Sequence, residues 1–258
     1  MESIGPIDKN NKKEYSSNII LVLDLDETLW WTPRSAEEHS EFLRQHGLEQ
    51  NQTVGVEQGI LPVRYGDFSF DMPYRLRPGV LDFLKATVLT EKYETHIFTR
   101  AESGCTVAID ALAKAVVESA GDTTGVDPTS LFAGRHFADE CKDYLGLGMW
   151  YCKPLEPLVR ASRGEAIAED DLLKRVVIVD DRSDSYYPCN RYNGIPVRTF
   201  LGIRGESDAK KMGDEVEYAE DGSTTFERLA ELLESLEPMD DVRPVLKAVF
   251  KDANRKYL

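Results

Sequence analysis

No apolar run in this chain approaches the ~20 residues that a membrane-spanning helix needs. The longest, Ile19 to Leu23, stops after five residues, so the sequence predicts neither a membrane span nor a membrane anchor. Cysteine is scarce. Cys105, Cys141, Cys152 and Cys189 are widely spaced and form no Cys-x-x-Cys pair, and no signal peptide precedes them, which predicts reduced thiols in an intracellular protein, nuclear or cytoplasmic. Positive charge is also short, with 31 basic against 46 acidic side chains and a formal charge of −15. That balance gives no broad attraction to nucleic acid or anionic lipid, so no direct nucleic-acid partner is expected, and any phosphorylated substrate would have to be captured by local cations. No internal repeat is visible.

What is present is ordinary for a globular protein rather than a disordered or fibrous one: 258 residues, 41% hydrophobic and 30% charged. Residues 1–17 are polar and lack an apolar period, and they read as a mobile leader. Residues 18–258 read as one domain with insertions near 30–76 and 121–151. Asn18 to Leu23 and Arg175 to Asp180 are β-branched and leucine-rich runs that suit strands buried on both faces. Tyr93 to Phe98 and Ile195 to Phe200 read as further strands of the same sheet. A capping box at Ser35 and Glu38, with Gly47 as a stop, predicts a helix over 36–46. Alternation from Val54 to Tyr74, broken by Gly59 and Gly66, predicts a hairpin or flap.

Helices are expected after Pro78, over 102–119 with Val107, Leu112, Ala115 and Val116 on one face, over 225–236 and over 241–252. Short strands are expected near Arg135 to Phe137 and Met149 to Tyr151. Strands alternating with helices predict an α/β fold: a Rossmann-like, mostly parallel sheet flanked by helices, with a small inserted flap and no large cap domain. Ligands in such sheets bind beyond the carboxyl ends of the strands.

The unusual residues collect at those ends. Asp24, Asp26 and Thr28 alternate as the first strand runs out, so their side chains can project toward one site. Two carboxylates that close favour a bound cation or a shared proton; a water-facing acidic strand end is the plain alternative. Later strand ends add Thr99, Lys153, Asp180 and Asp181, which suit phosphate and cation binding.

Taken together, Leu23 to Leu29, Arg77 to Val80, Ile97 to Thr99, Cys141, Lys153 to Leu155, Ile178 to Asp181, Asn193 and Asp241-Val242 resemble the haloacid-dehalogenase superfamily. Within it they resemble the small C-terminal-domain phosphatases of the Fcp/Scp, or NLI-interacting-factor, type. The resemblance implies a Mg²⁺-dependent phosphatase in which Asp24 is the nucleophile, Asp26 the general acid and base, and Thr28, Thr99 and Lys153 the phosphate-binding residues. It implies Mg²⁺ held by Asp24, the Asp26 backbone and Asp181, with Asp180 and Asn193 in support. A phosphoserine or phosphothreonine protein is the implied substrate.

Departures from the pattern are Cys105 where relatives acting on the RNA polymerase tail carry tyrosine, Ala138 where an arginine is expected, and Lys153-Pro154 in place of Lys-Asp. A small-molecule or phosphotyrosine phosphatase of the same fold, and a catalytically silent phosphate-dependent binding module, are the alternatives. Trp30 and Trp31 beside the site either stack on substrate or pack in the core.

Overall fold

Every residue of β1 (Ile19–Leu23) is buried, none more than 1% exposed, because the strand is covered on both faces. Its side chains alternate, with Ile19, Leu21 and Leu23 in one apolar cluster and Ile20 and Val22 in another, as the two-residue period of a strand requires. The computed structural model describes residues 18–46, 58–65, 68–90, 92–121, 125–143, 151–164, 166–190, 192–203, 216–218 and 224–253. The proposed leader, the Gly47 stop, Val54, Gly66 and Met149 lie outside the described residues.

After β1 come β2 (Trp30–Trp31), α1 (Ala36–His46), β3 (Gln58–Tyr65) and β4 (Phe68–Leu76). The α1 cap differs slightly from a standard box: Glu38 N–H donates to Ser35 Oγ at 3.2 Å, but Glu38 Oε2 accepts from Arg34 N–H at 2.6 Å, one residue early. The expected flap is a three-stranded antiparallel sheet in the order β2-β4-β3. Both tryptophans are 2% exposed, and Trp31 packs on Phe42 of α1. They are core residues with no free face for substrate.

Next follow α2 (Val80–Val88), β5 (Tyr93–Phe98), a 3₁₀ turn at Ser103–Cys105 and α3 (Thr106–Ser119). The buried face of α3 is Ala108, Ile109, Leu112, Ala113, Ala115 and Val116. Val107, expected on that face, is 37% exposed; it shares its helical stripe with Lys114 and Glu118, which pair with each other in solvent. Then come β6 (Gly134–His136), a 3₁₀ turn at Ala138–Glu140, and the paired β7 (Lys142–Asp143) and β8 (Tyr151–Cys152).

The helix α4 (Leu155–Arg163) is absent from the sequence reading, although it buries Leu155, Leu158 and Val159 at helical spacing. β9 (Val176–Asp180), α5 (Tyr187–Asn190), β10 (Gly194–Pro196), β11 (Thr199–Leu201), β12 (Val216–Tyr218), α6 (Thr225–Leu236) and α7 (Arg243–Ala253) complete the described chain. The single strand expected over 195–200 is divided. β10 pairs with β9 up to Asp180, whereas β11 pairs with β12 in a separate sheet. β9 ends at Asp180, and Phe200 N–H donates instead to Glu27 O at 2.8 Å. α7 starts two residues later than expected because the Asp241 carboxylate accepts from Arg243 N–H at 3.0 Å and so acts as its cap.

The main sheet has five strands in the order β10-β9-β1-β5-β6, all parallel. α2, α3 and α6 cover one face and α4 the other. The chain runs from β1 outward to β5 and β6, then returns to the other side of β1 for β9 and β10. This reversal opens a crevice at the carboxyl ends of β1 and β9.

One expectation about the thiols is overturned. Cys152 and Cys189 form a disulfide with Cα atoms 6.7 Å apart, leaving Cys105 and Cys141 free. Their separation of 37 residues matches no local spacing rule; only the fold sets β8 against α5.

Candidate active site

Asp24 follows β1 directly, and its N–H donates to Val179 O at 2.9 Å, so the strand pairing itself presents this carboxylate at the crevice. The chain then turns back sharply: Leu29 and Trp30 N–H both donate to Leu25 O, and Glu27 N–H to Trp30 O at 2.6 Å. Glu27 takes φ 62°, and it alone among the described non-glycine residues lies in the left-handed region. That conformation costs about 1 kcal/mol or more. It persists because Phe200 N–H binds the Glu27 carbonyl and Arg34 pairs with its carboxylate.

Each aspartate of this loop has its own hydroxyl. Thr28 Oγ1 donates to Asp24 Oδ2 at 2.9 Å and accepts from Asp181 N–H at 3.0 Å. Thr99 Oγ1, at the end of β5, donates to Asp26 Oδ2 at 3.1 Å, and Trp30 Nε1 donates to Asp26 Oδ1 at 2.9 Å. Burial raises the pKa of Asp26, the Asp24 charge raises it further, and the Trp30 and Thr99 bonds only partly oppose the rise.

Lys153 is wholly buried; its Nζ pairs with Asp24 and lies 2.7 Å from Asp180 Oδ2. Burial alone would drive off its proton, but Asp180 and Asp24 together more than offset that and hold the ammonium above the usual lysine range. The backbone of Lys153 is fixed as firmly, its N–H donating to Ser185 O at 2.7 Å and its carbonyl accepting from Asn190 Nδ2 at 2.6 Å. The other Asp180 oxygen accepts from Arg182 N–H at 2.8 Å. Burial raises the pKa of Asp181 first, then the Asp180 and Asp24 charges, against a 2.9 Å bond from Thr199 Oγ1. One oxygen each of Asp24, Asp180 and Asp181 lies within 4.8 Å of the others.

The fold thus brings together Asp24, Asp26, Thr28, Thr99, Lys153, Asp180 and Asp181. Asn193 stands apart. Its Nδ2 donates to Leu173 O and Val176 O, both at 2.7 Å, so it braces the amino end of β9, the end opposite the acids. Arg77 is a structural member that the sequence marked only as part of a motif. Buried, it donates to Thr28 O at 3.2 Å and pairs with Glu217 at 2.9 Å, tying the acid loop to β12. The two free thiols also border the site, where burial raises both pKa values. Asp26 adds to the rise at Cys105, while Lys153 counters it at Cys141.

A parallel sheet that delivers three aspartates and a buried lysine to the carboxyl edge beside its central strand has the makings of a phosphoryl-transfer site, and it fits a phosphatase of the haloacid-dehalogenase class. More narrowly, the model of the NLI interacting factor-like phosphatase family matches residues 19–243, and the chain belongs to that family. Similar solved structures include a beryllium-fluoride-bound variant of the fission yeast RNA polymerase II CTD phosphatase Fcp1, at 24% identity over 86% of this chain, TM-score 0.44. Another is Fcp1 described as an essential RNA polymerase II CTD phosphatase, at 21% identity over 93% of this chain, TM-score 0.47. The chain covers 53% of each of those structures. Comparison with curated proteins gave no match. Among the described residues no helix is long and apolar enough to cross a membrane.

Proposed function

We propose that residues 18–258 form a single Mg²⁺-dependent phosphatase domain acting on phosphoserine or phosphothreonine in a protein, through a phosphoryl-aspartate at Asp24. The observation that carries this reading is the bridge of Lys153 between Asp24 and Asp180. It supplies a cation for phosphoryl oxygens beside a carboxylate able to attack phosphorus.

The donor set fits a hard dication. Three carboxylates against one ammonium leave a formal −2 in a buried cluster of oxygens, and Mg²⁺ favours oxygen ligands. Asp24, the Asp26 backbone and Asp181 would hold it, and when bound it neutralises charge on the phosphate. Asp24 attacks phosphorus as the bond to the substrate oxygen breaks, and Asp26 gives that oxygen its proton. Asp26 then takes a proton from water, which attacks the aspartyl phosphate and releases phosphate and the Asp24 carboxylate. The raised pKa of Asp26 supports the first role, because the acid keeps its proton to higher pH. Lys153 and Thr99 bind the phosphoryl oxygens, and Asp180 orients Lys153. Thr28, whose hydroxyl lies between Asp24 and the Asp181 amide, holds the loop that presents the phosphate site.

A protein substrate is favoured because, among the described residues, the flap is a three-stranded sheet and no cap domain covers the site.

The test is Asp24→Asn with Mg²⁺ and an aryl phosphate. Turnover should vanish while the circular dichroism and melting curve stay native, and EDTA should silence the wild type. Activity retained by Asp24→Asn sinks the mechanism. Wild-type protein that hydrolyses nothing would leave a phosphate-binding module. A panel of phosphopeptides against sugar phosphates decides the substrate class, with sugar phosphates turned over faster overturning the protein assignment.

A further inference from the structure

Outside the acid crevice, four titratable side chains form a chain across the β5 and β6 edge of the sheet. His96 Nε2 lies 3.0 Å from Glu94 Oε1, His96 Nδ1 3.3 Å from His136 Nε2, and His136 Nδ1 2.7 Å from Glu140 Oε2. A carboxylate only accepts, so each outer contact places the ring proton on the outer nitrogen. Both inner nitrogens then carry lone pairs, and they face each other at 3.3 Å. Two lone pairs do not attract, so the contact is held by a positive centre that both can face, a shared proton or a metal ion.

We propose that His96 and His136 bind a divalent transition ion of the zinc class through Nδ1 and Nε2, with Glu94 and Glu140 as carboxylates behind the ligands and water completing the shell. Two nitrogens on one tetrahedral ion, each about 2.0–2.1 Å from it, lie roughly 3.3–3.4 Å apart, which is the separation found here. Metal-binding histidines characteristically donate their other N–H to a carboxylate, which fixes the tautomer and raises ligand basicity; here both do. Gly134 packs directly against the pair: a Cβ at that position would stand 2.4 Å from His96 Nδ1 and 2.9 Å from His136 Nε2, so any larger residue would displace the two rings. Entry from solvent is open, because His96 is buried but the side chains of His136 and Glu140 are 16% and 45% exposed. The position also bears on the phosphatase: the His136 carbonyl accepts from Thr99 N–H at 3.0 Å, and the His136 ring packs on Phe98.

The probe is Zn²⁺ alone, titrated calorimetrically into the full chain with excess Mg²⁺ to occupy the acid crevice. One equivalent should bind the wild type and Asp181→Asn alike, and His136→Gln should weaken it at least tenfold. Zn²⁺ should raise the melting temperature of the wild type and not of His136→Gln. Should His136→Gln fail to fold, Glu140→Gln, an exposed change, should still weaken binding by about 10–100-fold. Zinc binding that survives His136→Gln and Glu140→Gln but falls with Asp181→Asn would place the ion in the acid crevice and overturn the proposal. Absence of micromolar zinc binding to the wild type would also overturn it, leaving a histidine pair that shares a proton.

Discussion

Lys153 Nζ sits 2.7 Å from Asp180 Oδ2 with both side chains at most 1% exposed, so neither charge has water to fall back on. Replacing Lys153 by Met leaves Asp24 and Asp180 buried without their counter-ion. Breaking a buried pair from one side costs about 3–5 kcal/mol, and a loss of that size is expected in urea unfolding with EDTA. Added Mg²⁺ should recover part of it, since a cation again faces the acids. Activity should fall at least 10²-fold in either case. Lys153→Arg should not restore it, because a planar fork does not replace a point charge in a closed space. Wild-type stability in Lys153→Met would show that the pair carries no net weight.

Asp26→Asn keeps an oxygen for Trp30 Nε1, which donates at 2.9 Å, so the loop should hold. The loss should depend on the leaving group: a serine alkoxide needs the proton and an activated aryl oxide hardly does. General acid catalysis contributes about 10²- to 10⁴-fold, and the two substrates should separate by a factor in that range in the first step. An aryl phosphate should still give a burst before slow turnover. Equal slowing of both substrates in the first step would remove Asp26 from the acid role.

Stability should respond to pH in opposite ways with and without metal. The Asp181 pKa is raised by burial and by Asp180 and Asp24, so the folded form binds this proton more readily than the unfolded chain. The metal-free protein is therefore favoured at low pH, and it loses stability as pH rises from about 4, the unfolded value, through the raised one. Mg²⁺ competes with the same protons, so its stabilisation should grow over that range. Urea midpoints at about pH 5.5 and about pH 7.5, with EDTA or Mg²⁺, check both signs. A metal-free midpoint that rises with pH would contradict the raised Asp181.

Cys189→Ser opens the Cys152–Cys189 bond, which spans a separation of 37 residues. Loop entropy predicts a loss of about 4 kcal/mol, readable in urea and reproduced in the wild type by a dithiol reductant. Lys153 should stay in place, because its N–H and carbonyl are held by Ser185 and Asn190 independently of the bond. Equal stability with and without reductant would mean that the thiols are unpaired in solution.

Where neighbours within one element decide the outcome, the residues alone were enough. The apolar runs that became β1 and β9 and end in Asp24 and Asp180, the bounds of α1, β5 and α6, and the mostly parallel character of the sheet follow from periodicity, capping and the alternation of strands with helices. The acids were legible for the same reason, since a charged residue directly after a buried run must lie at a strand end. α4 is legible too, in Leu155, Leu158 and Val159 after Pro154, although no element is expected from the sequence between Tyr151 and Arg175.

Tertiary structure alone decided the rest, where partners are distant in sequence. It paired Cys152 with Cys189, set His96 against His136, moved Asn193 to the far end of β9, and divided the strand expected over 195–200. No pattern within one segment encodes such contacts. They depend on which strand lies beside which, and that order is chosen by burying β1 on both faces at once.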